Sequence, residues 1–188
     1  MHIPVYLITG ATGAGKSTAI ATLLARRPAP ERWAVLVNDF GQVSLRGAQG
    51  VPEDEVCVRE VAGCICCSAQ VALRTALVAL IRAARPQRLL IEASAAAHPD
   101  AIVKVLNEPG LASSIAFVRT VCVVDPRQAL DPRHAASDVY QAQVRTADLV
   151  VMRTARGISV EERTAARAAL EKLDASAIVD DEGLTGLR

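Results

Sequence analysis

Apolar residues gather into short runs at 5–9, 33–37, 56–61, 88–91, 120–124 and 149–152, with a last one at 177–179. Each run has the length of a buried strand. Between several of them the spacing changes to that of a helix, at 17–26, 69–84, 99–107 and 160–173. Strands alternating with helices predict parallel pairing, because two parallel strands need a crossover long enough to hold a helix. The expected fold is therefore α/β, three layers with a mostly parallel central sheet covered by helices on both faces. One nucleotide-binding domain is expected over residues 1–179, leaving 180–188 as a C-terminal tail whose acidic run Asp180, Asp181 and Glu182 reads as solvated. The stretch 38–55, with Gly41, Gly47, Gly50 and Pro52, keeps no period and is long for a connection, which marks a functional loop or disorder. In open α/β sheets ligands lie beyond the carboxyl ends of the strands, so Gly10, Asn38, Glu92 and Asp125 are expected around one cleft.

Composition narrows the class. Hydrophobic content of 51% with only 3% aromatics predicts an aliphatic, Ala-rich core. A net charge of +1, with no basic stripe interleaved with aromatics, gives no field to recruit nucleic acid or a membrane surface. No apolar run approaches the roughly 18 residues of a membrane span, and the first strand starts too early to leave room for a signal peptide. The expectation is a cytoplasmic protein with neither nucleic-acid nor membrane partner. Of five cysteines, Cys64, Cys66 and Cys67 fall within four residues. In a reducing compartment such a cluster reads as metal-binding or redox-active rather than as a disulfide framework.

The run 5–9 leads straight into Gly10-Ala11-Thr12-Gly13-Ala14-Gly15-Lys16-Ser17, a complete phosphate-binding P-loop followed by the helical pattern that opens at Ser17 and Thr18. Glycines let the backbone turn its N–H groups onto the phosphates, Lys16 reaches the β and γ oxygens, and the Ser17 hydroxyl suits Mg²⁺. The domain is thus expected to be a P-loop NTPase. Gly63 to Cys67 precedes a helix, where the dipole and free N–H groups favour thiolate. Zn²⁺ suits such ligands, and three closely spaced thiols reach one ion only with strain, so two thiolates plus a ligand from elsewhere make the better shell. Cys57 and Cys122 lie inside strand-like runs and read as packed cysteines.

These motifs together resemble the CobW branch of the CobW/HypB/UreG superfamily of metallochaperone GTPases. The P-loop, Asn38-Asp39-Phe40-Gly41, Gly63-Cys64-Ile65-Cys66-Cys67 and Leu90-Ile91-Glu92 carry the resemblance in order, across residues 3–152. It implies GTP hydrolysis coupled to a metal site in which Asp39 joins Cys66 and Cys67, with Zn²⁺ or another transition metal as cargo and a client apoprotein as recipient. Such proteins generally carry a further C-terminal domain, so partner docking is expected to use this domain, a homodimer or another chain. Lys16, Asp39 and Glu92 are the expected catalytic residues. Glu92, ending an apolar strand, is placed to approach the Mg²⁺ shell or to orient water near the γ-phosphate.

Two departures qualify the resemblance. Ala95 stands where the family has a glycine, three residues after Glu92, and Ala resists the positive φ that glycine adopts freely. Arg153-Thr154-Ala155-Arg156 follows the sixth apolar run where the family has Asn-Lys-x-Asp. Arg156 has donors and no acceptor, so it cannot replace the carboxylate that reads guanine. Arg153 and Arg156 either stack on the base without choosing between purines or form a solvated loop, and GTP and ATP are expected to bind within about tenfold of each other. A non-hydrolysing nucleotide- and metal-binding regulatory module, or a hydrolase that prefers ATP or is indifferent to the purine, is the alternative. His98, just before Pro99, reads as a helix-start residue, and Asp125 before Pro126 as an N-cap.

Overall fold

A computed structural model describes residues 2–37, 56–60, 70–153 and 157–181 of the 188-residue chain. Along it run β1 (Ile3–Thr9), α1 (Lys16–Ala25), β2 (Trp33–Val37), β3 (Val56–Glu60), α2 (Gln70–Ala84), β4 (Arg88–Glu92), α3 (Pro99–Leu106) and α4 (Pro109–Ala112). They are followed by β5 (Ile115–Val124), α5 (Pro126–Leu130), α6 (Pro132–Ala135), α7 (Asp138–Arg145), β6 (Leu149–Met152), α8 (Val160–Glu171) and β7 (Ile178–Asp180). The strands form one sheet in the order β3-β2-β4-β1-β5-β6-β7. Every pairing between them is parallel, where the sequence predicted only a mostly parallel sheet.

Alternation along the strands builds the layers. Val5 and Leu7 of β1, with Leu36, Leu89 and Ile91, face Leu73, Leu77 and Leu80 of α2 and Ile102 of α3. Tyr6 and Ile8, with Val35, Leu90, Val121 and Val123, face Ile20, Leu23 and Leu24 of α1. A third cluster packs Cys122, Val124 and Met152 on Tyr140 and Val144 of α7 and Leu170 of α8. Each such large apolar side chain contributes about 1.5–3 kcal/mol by leaving water. Among the described residues, no helix is long and apolar enough to cross a membrane.

Several elements differ from expectation. β5 starts at Ile115 rather than 120, because its outer half pairs with β1 although Arg119 and Thr120 interrupt the apolar run and Phe117 is 43% exposed. Helix α7 is mostly polar and buries only Tyr140, Gln143 and Val144, too few positions to announce a helix. Asp125 does cap α5, accepting a hydrogen bond from the Arg127 N–H at 2.8 Å. Asp180 is exposed, as expected of a solvated acid, while Asp181 is partly buried. Asp180 closes β7 and accepts a hydrogen bond from Arg163 at 2.7 Å, while Asp181 lies 3.1 Å from Arg153, since arginines of α8 and of the β6 end face them. Cys122 is buried, and burial pushes its thiol up to about 12, so it stays neutral. Cys57 lies in a strand as expected but is exposed rather than packed, because its strand is at the sheet edge.

Candidate functional site

The loop after β1 is shaped by its neighbour. Gly10 has φ +136°, and a Cβ there would stand 2.2 Å from the Val123 carbonyl oxygen of β5, so only glycine lets the chain leave the sheet at this point. The Ala14 N–H closes the turn on the Ala11 carbonyl at 3.2 Å, and Ala14 itself is buried. Gly15, in the left-handed region at φ +96°, is the N-cap of α1 and contributes no capping side chain. The first-turn N–H groups of a helix have no partner within it, which makes this end of α1 a cradle for an anion. Thr12 and Gly13 are exposed at the tip of the loop, as is Thr18 on α1. The Lys16 side chain is 4% exposed and folds back over the loop, donating to the carbonyls of Gly10 at 3.2 Å and Ala11 at 3.3 Å.

Strand β4 brings Glu92 to the same place. It pairs with Ile8 of β1, is 2% exposed, and accepts a hydrogen bond on Oε1 from the Ser17 hydroxyl at 2.6 Å. A hydroxyl and a buried carboxylate, side by side beneath the phosphate cradle, are hard oxygen donors of the kind Mg²⁺ takes. The segment that follows is tied down from a distance. Gln143 of α7, 1% exposed, donates its amide N–H groups to the carbonyls of Ala95 at 3.0 Å and Ala97 at 3.1 Å. Ala95 fits where the family has glycine because its φ is not positive. Among the described residues only Arg85 and Asp174 are non-glycine with positive φ. In the same way Gln128 of α5 donates to the Thr12 carbonyl at 2.7 Å. A cleft of about 560 Å³ opens between these segments, bordered by Thr12, Ala95, Gln128, His134, Tyr140 and Gln143. Neither glutamine was anticipated, since each partner lies far away in sequence and no local pattern links them.

On the other side of the loop, β6 ends and the Arg153 N–H donates to the Val124 carbonyl at 2.8 Å. The Arg153 side chain lies along the P-loop, its Nε 3.3 Å from where a Gly15 Cβ would be and 3.1 Å from Asp181 Oδ1. His98 occupies the N-cap position of α3, as expected for a helix-start residue, but makes no side-chain cap and is exposed. Asn38, Asp39, Cys64, Cys66, Cys67 and Arg156 lie outside the described residues. Among the described residues no group of three or more His, Cys, Asp or Glu side chains is arranged to hold a metal ion. Of the expected site residues the fold thus gathers Gly10, Ala14, Gly15, Lys16, Ser17 and Glu92 around the adjoining ends of β1 and β4 and sets Arg153 beside the P-loop.

Comparison with known proteins agrees with this geometry. The family model "CobW/HypB/UreG, nucleotide-binding domain" matches residues 4–179. The zinc chaperone YeiR of Escherichia coli K12 is 38% identical over 146 residues, which cover 77% of this chain and 44% of YeiR. The chain therefore spans less than half the length of that relative. Among solved structures, Zn(II)-bound YjiA GTPase from E. coli superposes with a TM-score of 0.65 at 22% identity, over 95% of this chain and 57% of YjiA. The hydrogenase maturation factor HypB from Archaeoglobus fulgidus gives a TM-score of 0.64 at 18% identity, over 100% of this chain and 89% of HypB. At those identities the two structures establish the fold alone.

Proposed function

The chain belongs to the CobW/HypB/UreG family, and from that premise we propose that it binds and hydrolyses GTP and couples this to binding and delivery of a metal, zinc in first place. The observation that carries the nucleotide half is the convergence of Lys16, Ser17 and Glu92 at the adjoining ends of β1 and β4. Lys16 and the N–H groups of the loop and first helical turn bind the phosphates and fix the triphosphate in line for attack by water. Ser17 and Glu92 would hold Mg²⁺, which when bound neutralises charge building on the terminal phosphates. The hydrogen bond between Ser17 and Glu92 supports a role for Glu92 on the metal side of the site rather than beside the water. Asp39, outside the described residues, is the remaining expected carboxylate for orienting that water. Slow turnover is the expectation for a P-loop hydrolase to which no partner supplies a cation in the transition state.

The metal half rests on the Gly63 to Cys67 motif and on the chaperone relatives. Cys64, Cys66, Cys67 and Asp39 form the proposed cargo site, and a client apoprotein and a homodimer are the proposed partners. A non-hydrolysing reading has one observation in its favour, the Gln143 tether on Ala95 and Ala97, which fixes a segment that would otherwise answer to the γ-phosphate.

Phosphate release from GTP, with and without Mg²⁺, separates the two readings, with Lys16→Ala as the control. Release above that control, dependent on Mg²⁺, is expected. Binding without release would favour the regulatory module. Zinc titration of the parent and of the Cys66→Ser, Cys67→Ser pair, each with and without a non-hydrolysable triphosphate, tests the other half. Tight binding should vanish in the pair, and the triphosphate should shift the parent's zinc affinity by a coupling of about 1–3 kcal/mol. Unchanged zinc affinity in the pair rejects the thiolate site.

A further inference from the structure

Arg156 cannot accept the hydrogen bonds by which a guanine edge is read, so the purine must be chosen by another group or not chosen at all. We propose that Asp181 is the base-reading carboxylate of this chain, with Arg153 as the surface on which the base stacks. The proposal rests on the nucleotide reading above and adds the residue that sets its specificity.

The direction of the bound nucleotide follows from fixed points in the sheet. Ser17 and Glu92 mark the metal side of the P-loop, toward β4. The terminal phosphate therefore points that way, and the nucleoside, at the other end of the triphosphate, leaves across β5, β6 and β7. On that side Arg153 follows β6 with its side chain against Gly15, and Asp181 follows β7, the next strand out. The two side chains are 20% and 25% exposed and meet at 3.1 Å. Arg153 is thus flanked by the P-loop and by Asp181, and a guanidinium is planar and offers a face on which a base can stack.

The chemistry of the edge selects guanine. Guanine offers two donors side by side, its ring N–H and exocyclic amine, whereas adenine replaces the ring N–H with an acceptor. An ionised carboxylate has about four acceptor sites and no donor, so it satisfies guanine and repels adenine at that position. The contact with Arg153 uses part of that capacity. The neighbouring Asp180 is engaged differently, by Arg163 at 2.7 Å and Arg167 at 3.9 Å on α8. The pair of adjacent acids is therefore divided between a strand-end clamp and the base.

This replaces the expectation of near-equal purine binding. GTP should bind at least roughly thirtyfold tighter than ATP or XTP, the scale of one good paired contact. Competition binding of GTP, ATP and XTP to the parent, Asp181→Asn and Asp180→Asn is the test, with thermal melting to show that each variant is folded. An asparagine amide donates where xanthine has a carbonyl, so Asp181→Asn should lose at least about tenfold for GTP and bind XTP at least as well as GTP. Asp180→Asn should keep the parent's order. An unchanged GTP to XTP ratio in Asp181→Asn overturns the proposal, as does an equal loss for all three nucleotides, which would leave Asp181 only a brace for Arg153. A parent that binds none of the three removes the nucleotide reading and this proposal with it, an outcome distinct from either of those.

Discussion

The two ends of the P-loop region are held in different ways. At the phosphate end the polar groups are main-chain or almost fully buried: Gly10 under the Val123 carbonyl, Lys16 at 4% exposure, and Glu92 at 2% beneath the Ser17 hydroxyl. At the flank across the loop, contact is made between side chains at the rim, Arg153 with Asp181, each a fifth to a quarter exposed. A change of residue at the first end disturbs the packing of the central strands. At the second it costs one screened ion pair, so the side chains there can be exchanged while the loop is kept. The chain carries that asymmetry in its sequence, with an intact P-loop and Arg153 and Arg156 in place of the usual base motif.

Substitutions that break the contrast should scale with it. Gly10→Ala should do most, because its Cβ meets a strand carbonyl at 2.2 Å and φ is +136°. A loss of about 3 kcal/mol or more is expected in denaturant melts, from overlap and backbone strain combined. A loss below about 0.5 kcal/mol would mean that the β1 and β5 ends are looser than the contact implies. Glu92→Gln keeps an acceptor for Ser17 and removes the charge. Mg²⁺-dependent phosphate release should fall by about tenfold to a hundredfold, the range of one positioned group, with Mg²⁺-free nucleotide affinity changed far less. An unchanged rate would take Glu92 out of the metal side.

Gln143→Leu tests how far the tether on Ala95 and Ala97 supports the cleft. It leaves two carbonyls without that donor, and a destabilisation of about 1–3 kcal/mol is expected, read by thermal or chemical melting. Phosphate release should change with it, rising if the tether restrains the segment. Arg153→Ala should be mildest. An ion pair at the rim is worth about 0–1 kcal/mol, so stability should hardly move, and affinity for every triphosphate should fall together by about fivefold or less. A larger loss confined to one nucleotide would shift base reading from Asp181 to Arg153.

What the sequence disclosed, and what it withheld, follow the same division. The P-loop was legible because main-chain geometry demands glycine at fixed spacing. Glu92 was legible because it ends an apolar run, and Asp125 because a proline follows a good cap. The strands of the sheet were legible as short apolar runs, apart from the outer half of β5. Gln128 and Gln143 were not, since each bonds across the fold to a carbonyl, and a carbonyl leaves no mark in sequence. Helix α7 was hidden by its polarity. Asp181 looked like part of a charged tail, and only the register of β7 on β6 sets it against Arg153. The edge position of β3 likewise left Cys57 exposed, where its apolar neighbours suggested a packed thiol.

Comparison of GTP with GMP in equilibrium binding to the parent chain tests most directly the claim that phosphates carry the affinity and the base only selects. GMP keeps the whole base edge for Asp181 and loses the β and γ groups that Lys16 and the loop N–H groups would hold. GMP is predicted to bind at least about a hundredfold more weakly than GTP, roughly 2.7 kcal/mol or more. GMP binding within about fivefold of GTP would contradict the account, because the P-loop would then contribute no more than the rim.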